Sequence, residues 1–238
     1  MKTTTLLLIS MSTCILISSC QKSDLNENKD LLKASANAAQ NSQGAKKKNL
    51  AVGDYYGGGI IVTIDALGEH GLIVCTKDLG TAPWGCSGID MPGTSWDFGT
   101  GAANTDIILQ NCNEQGIAAR ICHDLVVREN ETIDKKGDLK ETGKKYDDWF
   151  LPSSNEISAV LAMSFESNDP VVINLFPSGD YWTSNQGPTF WHGANPLDPT
   201  VTAFSRFYYS KIDLSFLYII PQPQGRSALI NVRAVRAF

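Results

Sequence analysis

The distribution of aromatic residues limits where this chain can build a core. Residues 21–50 contain none and are rich in Asn, Gln, Lys, Ser and Ala. A segment of this composition cannot bury enough apolar surface to repay the entropy that ordering costs. We therefore predict a flexible tether over 20–50 and a single folded domain over 51–238, which is long enough to bury a core of its own.

The first 19 residues have the pattern of a secretory signal peptide, since Lys2 precedes a short apolar segment broken by small polar residues. This segment is too short for a comfortable membrane span. The residues ISSC at 17–20 resemble a lipobox, which implies cleavage before Cys20 and a lipid on its thiol. An ordinary secretory signal with a chance cysteine is the alternative. Residues 20–24 resemble the export signals of Bacteroidetes surface lipoproteins, which implies an outer-membrane anchor and a position at the cell surface.

The charge of the predicted domain excludes some partners. Residues 51–238 carry 13 Lys and Arg against 22 Asp and Glu, a net charge of −9. Such an acidic domain does not suit nucleic acid and disfavours general attraction to polyanionic glycans. We expect the membrane as one partner, through the lipid anchor, and a glycan or a surface protein as another. No nucleic-acid partner and no cofactor are expected.

Four cysteines remain in the predicted domain, an even number in an exported chain. Disulfides suit that compartment, and four cysteines allow three pairings. Because each close pair is separated by about ten residues, we favour Cys75–Cys86 and Cys112–Cys122. A zinc site is the alternative, but no metal-binding spacing supports it.

The pattern of apolar residues predicts an α+β domain. β-branched runs at 60–64 and 72–75 predict a hairpin that is buried on both faces, directly after three glycines that indicate a close backbone approach. One helix is predicted to begin with Asn104 as its N-cap and another to follow Ser153. Strands are predicted at 181–184, 201–209 and 229–238, and long loops include 77–101, 129–145 and 221–225. The C-terminal strand is expected to pair with the N-terminal hairpin.

Several segments together resemble one domain family. They are VGDYYGGGIIVTIDALGEHGLIV, GTGAANTDII, DDWFLPSSNEISAVL, YWTSN and INVRAVRAF, which follow one another from about residue 52 to 238. The family is DUF1566, named after the C-terminal domain of a Legionella collagen-like adhesin. The resemblance implies a C-type-lectin-like fold whose termini meet and whose long loops present a binding surface. It also implies adhesion or glycan recognition, an inference from fold analogy.

The motif residues have structural interpretations of their own. Trp149 is expected to fill the core at the start of a helix, and Ser153 with Glu156 has capping-box spacing. Arg233 and Arg236 lie three apart in a predicted strand and therefore point to opposite faces. We expect one of these arginines to be partly buried and paired with an acid. Asp148 is the candidate acid.

Aromatic residues in or beside loops are the candidate ligand-binding residues. They are Trp96, Trp191 with its neighbour His192, and Tyr209 next to Tyr208. Sugars stack their apolar faces on such rings while polar neighbours bind the hydroxyls. The alternative is that these rings fill a loop-rich core.

Enzyme signals are few, and we expect no catalytic site. Serine-hydrolase and zinc-protease motifs are absent from the sequence, and the acidic ligands of a lectin-type calcium site are missing. Two alternatives to a non-catalytic binding module stay open. One is an enzyme on a lectin-like scaffold similar to the formylglycine-generating group, which needs a reactive cysteine pair. The other is a structural protein of the envelope or of fimbriae.

Overall fold

Two sheets, a two-stranded ribbon and two main helices make up the part of the protein that the computed structural model describes, namely residues 50–133, 139–189, 197–209, 217 and 219–238. The strands and helices, in chain order, are β1 (Tyr55–Tyr56), β2 (Gly59–Ile64), β3 (Gly71–Cys75), β4 (Thr81–Ala82), α1 (Gly101–Asn111), α2 (Ala118–His123), β5 (Val127–Ile133), β6 (Leu139–Tyr146), α3 (Ser154–Glu166), α4 (Pro170–Asn174), β7 (Gly179–Gln186), β8 (Thr202–Tyr208), β9 (Ile219–Gly225), β10 (Ile230–Asn231) and β11 (Val235–Ala237).

The first sheet joins the two ends of the domain. Its strands are antiparallel in the order β1-β2-β3-β11, so the predicted hairpin and its pairing with the C-terminal strand are confirmed. Gly71 and Phe238 exchange two backbone hydrogen bonds of 3.1 Å. Glycine is required at position 59 because a Cβ there would overlap the Val74 carbonyl oxygen of the neighbouring strand.

Both faces of this sheet are buried, as its continuous apolar sequence predicts. Ile61 and Ile73 belong to one core cluster, which contains Trp84, Trp149 and Trp182. Their strand neighbours point the opposite way and join a second cluster against α3. That cluster contains Ile60, Val62, Leu72, Val74, Val160, Leu161 and Tyr181.

The second sheet has five strands in the order β4-β10-β7-β8-β9. The short strand β10 runs parallel to β7, and the other neighbours are antiparallel. The predicted strand over 229–238 is therefore divided, because β10 enters this sheet while β11 enters the first one. Helix α3 contacts both sheets.

Helix α3 begins where the sequence predicts. The Ser153 side chain accepts from the Glu156 backbone N–H, and the Glu156 carboxylate accepts from the Ser153 N–H, which completes the capping box. The apolar face that packs on the core includes Ile157, Val160 and Leu161. Trp149 is buried in the preceding turn and donates from its indole nitrogen to the Tyr146 carbonyl, 3.1 Å away.

Helix α1 begins four residues earlier than predicted. Its N-cap is Thr100, and Asn104 lies inside the helix, where its side chain bonds Ser95 and Ser184 instead of a helix N–H. The prediction was wrong because a buried polar side chain found tertiary partners, which outweighed its local preference for a cap.

Two segments that were predicted as loops are strands. Within the charged stretch 129–145, residues 129–133 and 139–145 belong to the ribbon of β5 and β6, whose backbones pair with each other over Val127–Ile133 and Leu139–Tyr146. Residues 221–225 lie in β9, which pairs with β8 throughout its length. Strand β9 tolerates Pro221 and Pro223 because it is an edge strand, and their missing N–H groups fall at alternate positions that face away from β8.

The disulfide joins Cys86 to Cys112, with Cα atoms 5.8 Å apart. Both predicted pairings, Cys75–Cys86 and Cys112–Cys122, are therefore wrong. Distance along the chain is a poor guide here, because the loop that carries Cys86 folds over the end of α1, which places Cys112 beside it. Cys75 and Cys122 lie in the core, outside this disulfide.

Residues Asn49–Phe238 form one compact unit. No helix among the described residues is long and apolar enough to cross a membrane. Cys20, the rest of the predicted tether up to residue 49, Trp191 and His192 lie outside the described residues.

Candidate binding surface

The two described candidate aromatics lie on opposite faces of the second sheet. The Trp96 ring meets Phe204 edge-on at 4.2 Å, whereas the Tyr209 ring meets Phe207 edge-on at 4.9 Å. Phe204 and Phe207 are three positions apart on β8, so their side chains point to opposite sides of the sheet. The structure therefore does not bring Trp96 and Tyr209 into one site.

Trp96 anchors a loop. The Arg206 guanidinium lies over its ring at 5.5 Å, and the Arg206 Nε donates to the Ser154 Oγ at 2.8 Å. Burial lowers the pKa of Arg206. The Trp96 carbonyl accepts from the Asn155 backbone N–H at the start of α3. Because both its ring and its backbone are engaged within the domain, Trp96 fits the alternative interpretation of a ring that fills the loop side of the core.

A buried polar group, which we call the interior cluster, holds the loop over residues 83–100 against the domain. Its members are Asn104, Glu156, Asn185, Gln186 and Arg226. The Ser95 carbonyl accepts from the side-chain amides of Asn104 and Asn185, at 2.7 and 2.6 Å. The loop backbone thus receives from side chains the bonds that a sheet or helix would otherwise supply.

Glu156 performs two tasks in this cluster. One carboxylate oxygen accepts from Ser153 N at 2.7 Å in the capping box, and the other accepts from Gly99 N at 3.0 Å in the loop. Burial raises the pKa of this carboxyl, and the backbone donors oppose that rise. Gly101 has room only for hydrogen, since a Cβ there would overlap a Glu156 oxygen.

Arg226 is 1% exposed, as is Glu156, the other charged member of the cluster. Its guanidinium stacks at 4.3 Å over Trp84 and makes five hydrogen bonds, to the carbonyl oxygens of Thr202, Cys86, Ile89 and Pro199 and to the Gln186 side chain. Burial lowers the pKa of Arg226 to about 10. The sequence did not indicate this residue, because backbone carbonyl oxygens occur at every position and so no particular residue type identifies the partners of its guanidinium.

The C-terminal arginines are structural, and one of them has the predicted partner. Arg236 donates from Nε and Nη2 to the two Asp148 oxygens at 2.6 and 2.7 Å and lies 4.8 Å over the Tyr146 ring. This bidentate bond lowers the pKa of Asp148. Arg233 faces other groups, donating to the Lys77 and Leu175 carbonyls. Its guanidinium lies 5.2 Å over the Phe176 ring.

The side of β7, β8 and β9 that carries Phe207 combines aromatic and polar side chains; we call it the outer face. Directly opposed residues of paired strands share a face, as do residues two apart on a strand. The pairing gathers on the outer face Asp180, Ser205, Phe207, Gln222 and Gln224, with Tyr209 beside Phe207. The same side also carries Ile220, together with Trp182 and Ala203, which are buried in the core cluster that contains Trp84.

Mutual hydrogen bonds orient the polar members of the outer face. The Ser205 hydroxyl donates to the Asp180 carboxylate at 2.7 Å, and the Gln224 amide donates to the Gln222 side-chain oxygen at 3.2 Å. Ser205 is buried beneath its neighbours, whereas the other members are partly exposed. Among these residues only Tyr209 was a candidate from the sequence. The alternation Pro-Gln-Pro-Gln at 221–224 was the available signal, since it indicates an edge strand with amides on one side.

Two pockets among the described residues lie away from the outer face. One of about 460 Å³ opens between β2 and α3, and one of about 330 Å³ lies beside Cys86, Glu114 and Arg226. Within the described ranges, the one group of possible metal ligands is Cys86, Cys112 and Glu114. Because both sulfur atoms are in the disulfide, the Glu114 carboxylate is the one metal ligand that this group still offers.

No known protein-family model matches the chain, and no curated protein matches it significantly.

Proposed function

We propose that this chain is a non-catalytic recognition module of an exported lipoprotein and that its outer face binds an uncharged glycan. The observation that carries the proposal is the Phe207–Tyr209 ring pair at the end of an oriented row of carboxylate, hydroxyl and amide groups. Most members of this row are partly exposed, so a ligand can reach them.

The chemistry of the outer face matches that of a sugar. A pyranose ring presents C–H groups on its flat faces and hydroxyls around its edge. Aromatic rings pack against the C–H groups. Planar amides both accept from and donate to the hydroxyls, and carboxylates accept from them. The partners that Asp180 and Gln222 already hold limit their rotation, which lowers the entropy lost on binding.

Charge favours an uncharged ligand over an anionic one. The domain over 51–238 has a net charge of −9, and Asp180 places a carboxylate within the outer face itself. A sulfated or uronic-acid polymer would meet repulsion from both.

The proposed fold family is the C-type-lectin-like one, through the resemblance to DUF1566. Support comes from the sheet that unites the first and last strands, from the two main helices and from the long loop that a disulfide ties to α1. This support is an analogy of architecture and does not identify a ligand.

The proposed location is the outer membrane, with the domain held at the cell surface by a lipid on Cys20 and the tether over 20–50. The lipobox-like residues at 17–20 support it. Metabolic labelling with a tagged fatty acid should label the wild type in its native host and not Cys20→Ala. Equal labelling of both would exclude this anchor.

The alternatives have less support. A formylglycine-generating enzyme needs a reactive cysteine pair, and all four cysteines of the domain are at most 3% exposed. A fimbrial protein that polymerises by strand addition needs an edge with donors, whereas Pro221 and Pro223 remove the central donors of the β9 edge.

Titration of the mature domain against an array of uncharged oligosaccharides tests the proposal. We expect Phe207→Ala and Tyr209→Ala each to weaken binding by about two- to tenfold, since a stacked ring contributes on the order of 0.5–1.5 kcal/mol beyond the area that it buries. Phe98→Ala is the matched control, because Phe98 is 50% exposed and lies in the loop on the other side of the sheet. It should bind like the wild type.

Three results would contradict the proposal that the outer face binds a glycan. They are a blank array for the wild type, equal losses in Phe98→Ala and Phe207→Ala, and binding confined to a matrix-protein panel run in parallel. Thermal unfolding of each variant shows whether a loss of binding reflects a loss of folding.

A further inference from the structure

We propose that Cys75 and Cys122 are joined by a second disulfide in the exported protein. Cys75 is the last residue of β3, and Cys122 lies in α2. Neither belongs to the Cys86–Cys112 disulfide. The bond would fasten the helical part of the domain directly to the first sheet.

The two cysteines contact the same stretch of backbone. The Cys75 N–H donates to the Ala234 carbonyl at 2.9 Å, and the Cys122 sulfur lies 3.8 Å from the Arg233 carbonyl oxygen. Both residues are 0% exposed and belong to the same core cluster. Because the Cys75 backbone and the Cys122 sulfur contact adjacent peptide groups, and both side chains belong to one core cluster, the two cysteines are neighbours.

The electrostatic environment of Cys122 agrees with this geometry. Burial raises the pKa of its thiol well above the ordinary value, and the negative charge of a Cys75 thiolate raises it further. The second effect requires proximity, because charge interactions in proteins weaken with distance. In the folded, reduced domain the Cys122 sulfur therefore stays protonated, and both sulfurs are buried away from any oxidant.

The bond has to form before the core closes. One thiolate attacks the disulfide of an exported thiol oxidase and forms a mixed disulfide, releasing one oxidase thiol. The second cysteine displaces the other oxidase sulfur, so the chain gains a disulfide, the oxidase receives two electrons as a dithiol and two protons leave the cysteines. This exchange needs exposed thiolates, which exist while α2 is not yet packed over β3.

The two disulfides would be nested. The Cys75–Cys122 loop encloses Cys86 and Cys112, so the long loop and both α1 and α2 lie between the outer pair. Of the three possible pairings of the four domain cysteines, this one alone keeps the Cys86–Cys112 disulfide and also leaves no free thiol in an oxidising compartment.

Alkylation followed by peptide mapping tests the proposal on mature protein secreted by its native host. The protein is denatured without reductant, treated with iodoacetamide, digested and analysed by mass spectrometry. We expect no alkylated cysteine within the domain and one cross-linked peptide containing Cys75 and Cys122. Two alkylated residues at Cys75 and Cys122 would overturn the proposal, as would a cross-link from either of them to Cys86 or Cys112.

Two matched variants separate the bonds. Cys122→Ala should leave Cys75 alkylated and Cys86–Cys112 intact, whereas Cys112→Ala should leave Cys86 alkylated and Cys75–Cys122 intact. The proposal rests on export, which is part of the proposed function, and the two can fail separately. If Cys86–Cys112 is oxidised while the other two cysteines are alkylated, export stands and the second disulfide is rejected.

Discussion

Gln186 and Gln222 show how differently the interior cluster and the outer face use the same side chain. The Gln186 oxygen accepts from Arg226 and from the Met91 backbone N–H, and its amide nitrogen donates to Asp90. Both ends of the Gln186 side chain are therefore hydrogen-bonded within the domain. Gln222 accepts from Gln224 alone among the side chains of its face and is partly exposed. Polar side chains therefore indicate a binding surface only where their hydrogen-bonding groups are not already bound to loops of the same domain.

The contrast predicts large stability losses in the interior cluster and small ones on the outer face. The largest is expected for Arg226→Met, which leaves several buried carbonyl oxygens without donors. Each such group costs on the order of 1–3 kcal/mol, so we expect the free energy of unfolding to fall by at least about 3 kcal/mol. Urea unfolding of the mature domain measures it.

Arg226→Lys sharpens this prediction. Lysine keeps the charge but has three donors on a single nitrogen, against the five N–H groups of a planar fork. It should recover only part of the loss. Full recovery would mean that charge, and not the five-bond geometry, stabilises the loop.

The next effect is expected at Glu156. Glutamine has the same shape but only one acceptor oxygen, so in Glu156→Gln the amide nitrogen must face the N–H of Ser153 or Gly99. We expect a loss of about 1–3 kcal/mol in the free energy of unfolding. Faster amide hydrogen exchange at Gly99 or Ser153 would identify the bond that breaks. An unchanged unfolding midpoint would contradict the dual acceptor role.

A smaller effect is expected for Asp148→Asn, because the Asp148 side chain is 57% exposed. We expect a loss of about 1 kcal/mol at neutral pH. Arg236 holds the pKa of Asp148 below its ordinary value of 3.8, so the contribution is complete above that pH and is lost as pH falls through the lower folded pKa. Stability curves of the two proteins should therefore converge only under acid conditions. Convergence at neutral pH would contradict the ion pair.

The smallest effect is expected for Gln222→Ala on the outer face. Because this side chain has few partners within the domain, the free energy of unfolding should change by no more than about 0.5 kcal/mol. Glycan binding should nevertheless weaken. A stability loss comparable to that of Glu156→Gln would show that the outer face contributes to the packing of the domain. The outer face and the interior cluster would then not differ in the way proposed.

The sequence predicts well those features that depend on local pattern. The capping box of Ser153 and Glu156, the hairpin of β2 and β3 and the return of β11 all follow from residue spacing and apolar runs. The Arg236–Asp148 pair also follows, since a buried arginine requires an acceptor.

Features that depend on how distant segments meet could not be predicted. The path of a long loop determines the Cys86–Cys112 disulfide. Asn104 and Arg226 donate to backbone carbonyl oxygens of that loop, and every residue type has such an oxygen, so the sequence does not indicate these partners. The outer face was largely missed because its members come from three strands, and one of those strands has the composition of a loop.

The position of the final strand has a consequence for how the protein is made. Val235 bonds Phe150 and opposes Val74, and Phe238 bonds Gly71, so the first sheet stays incomplete until β11 has been synthesised. Pairing of such distant segments is slow. A nascent chain therefore cannot complete this sheet while β2 and β3 alone are available, and a chain without β11 would lack the strand that closes it.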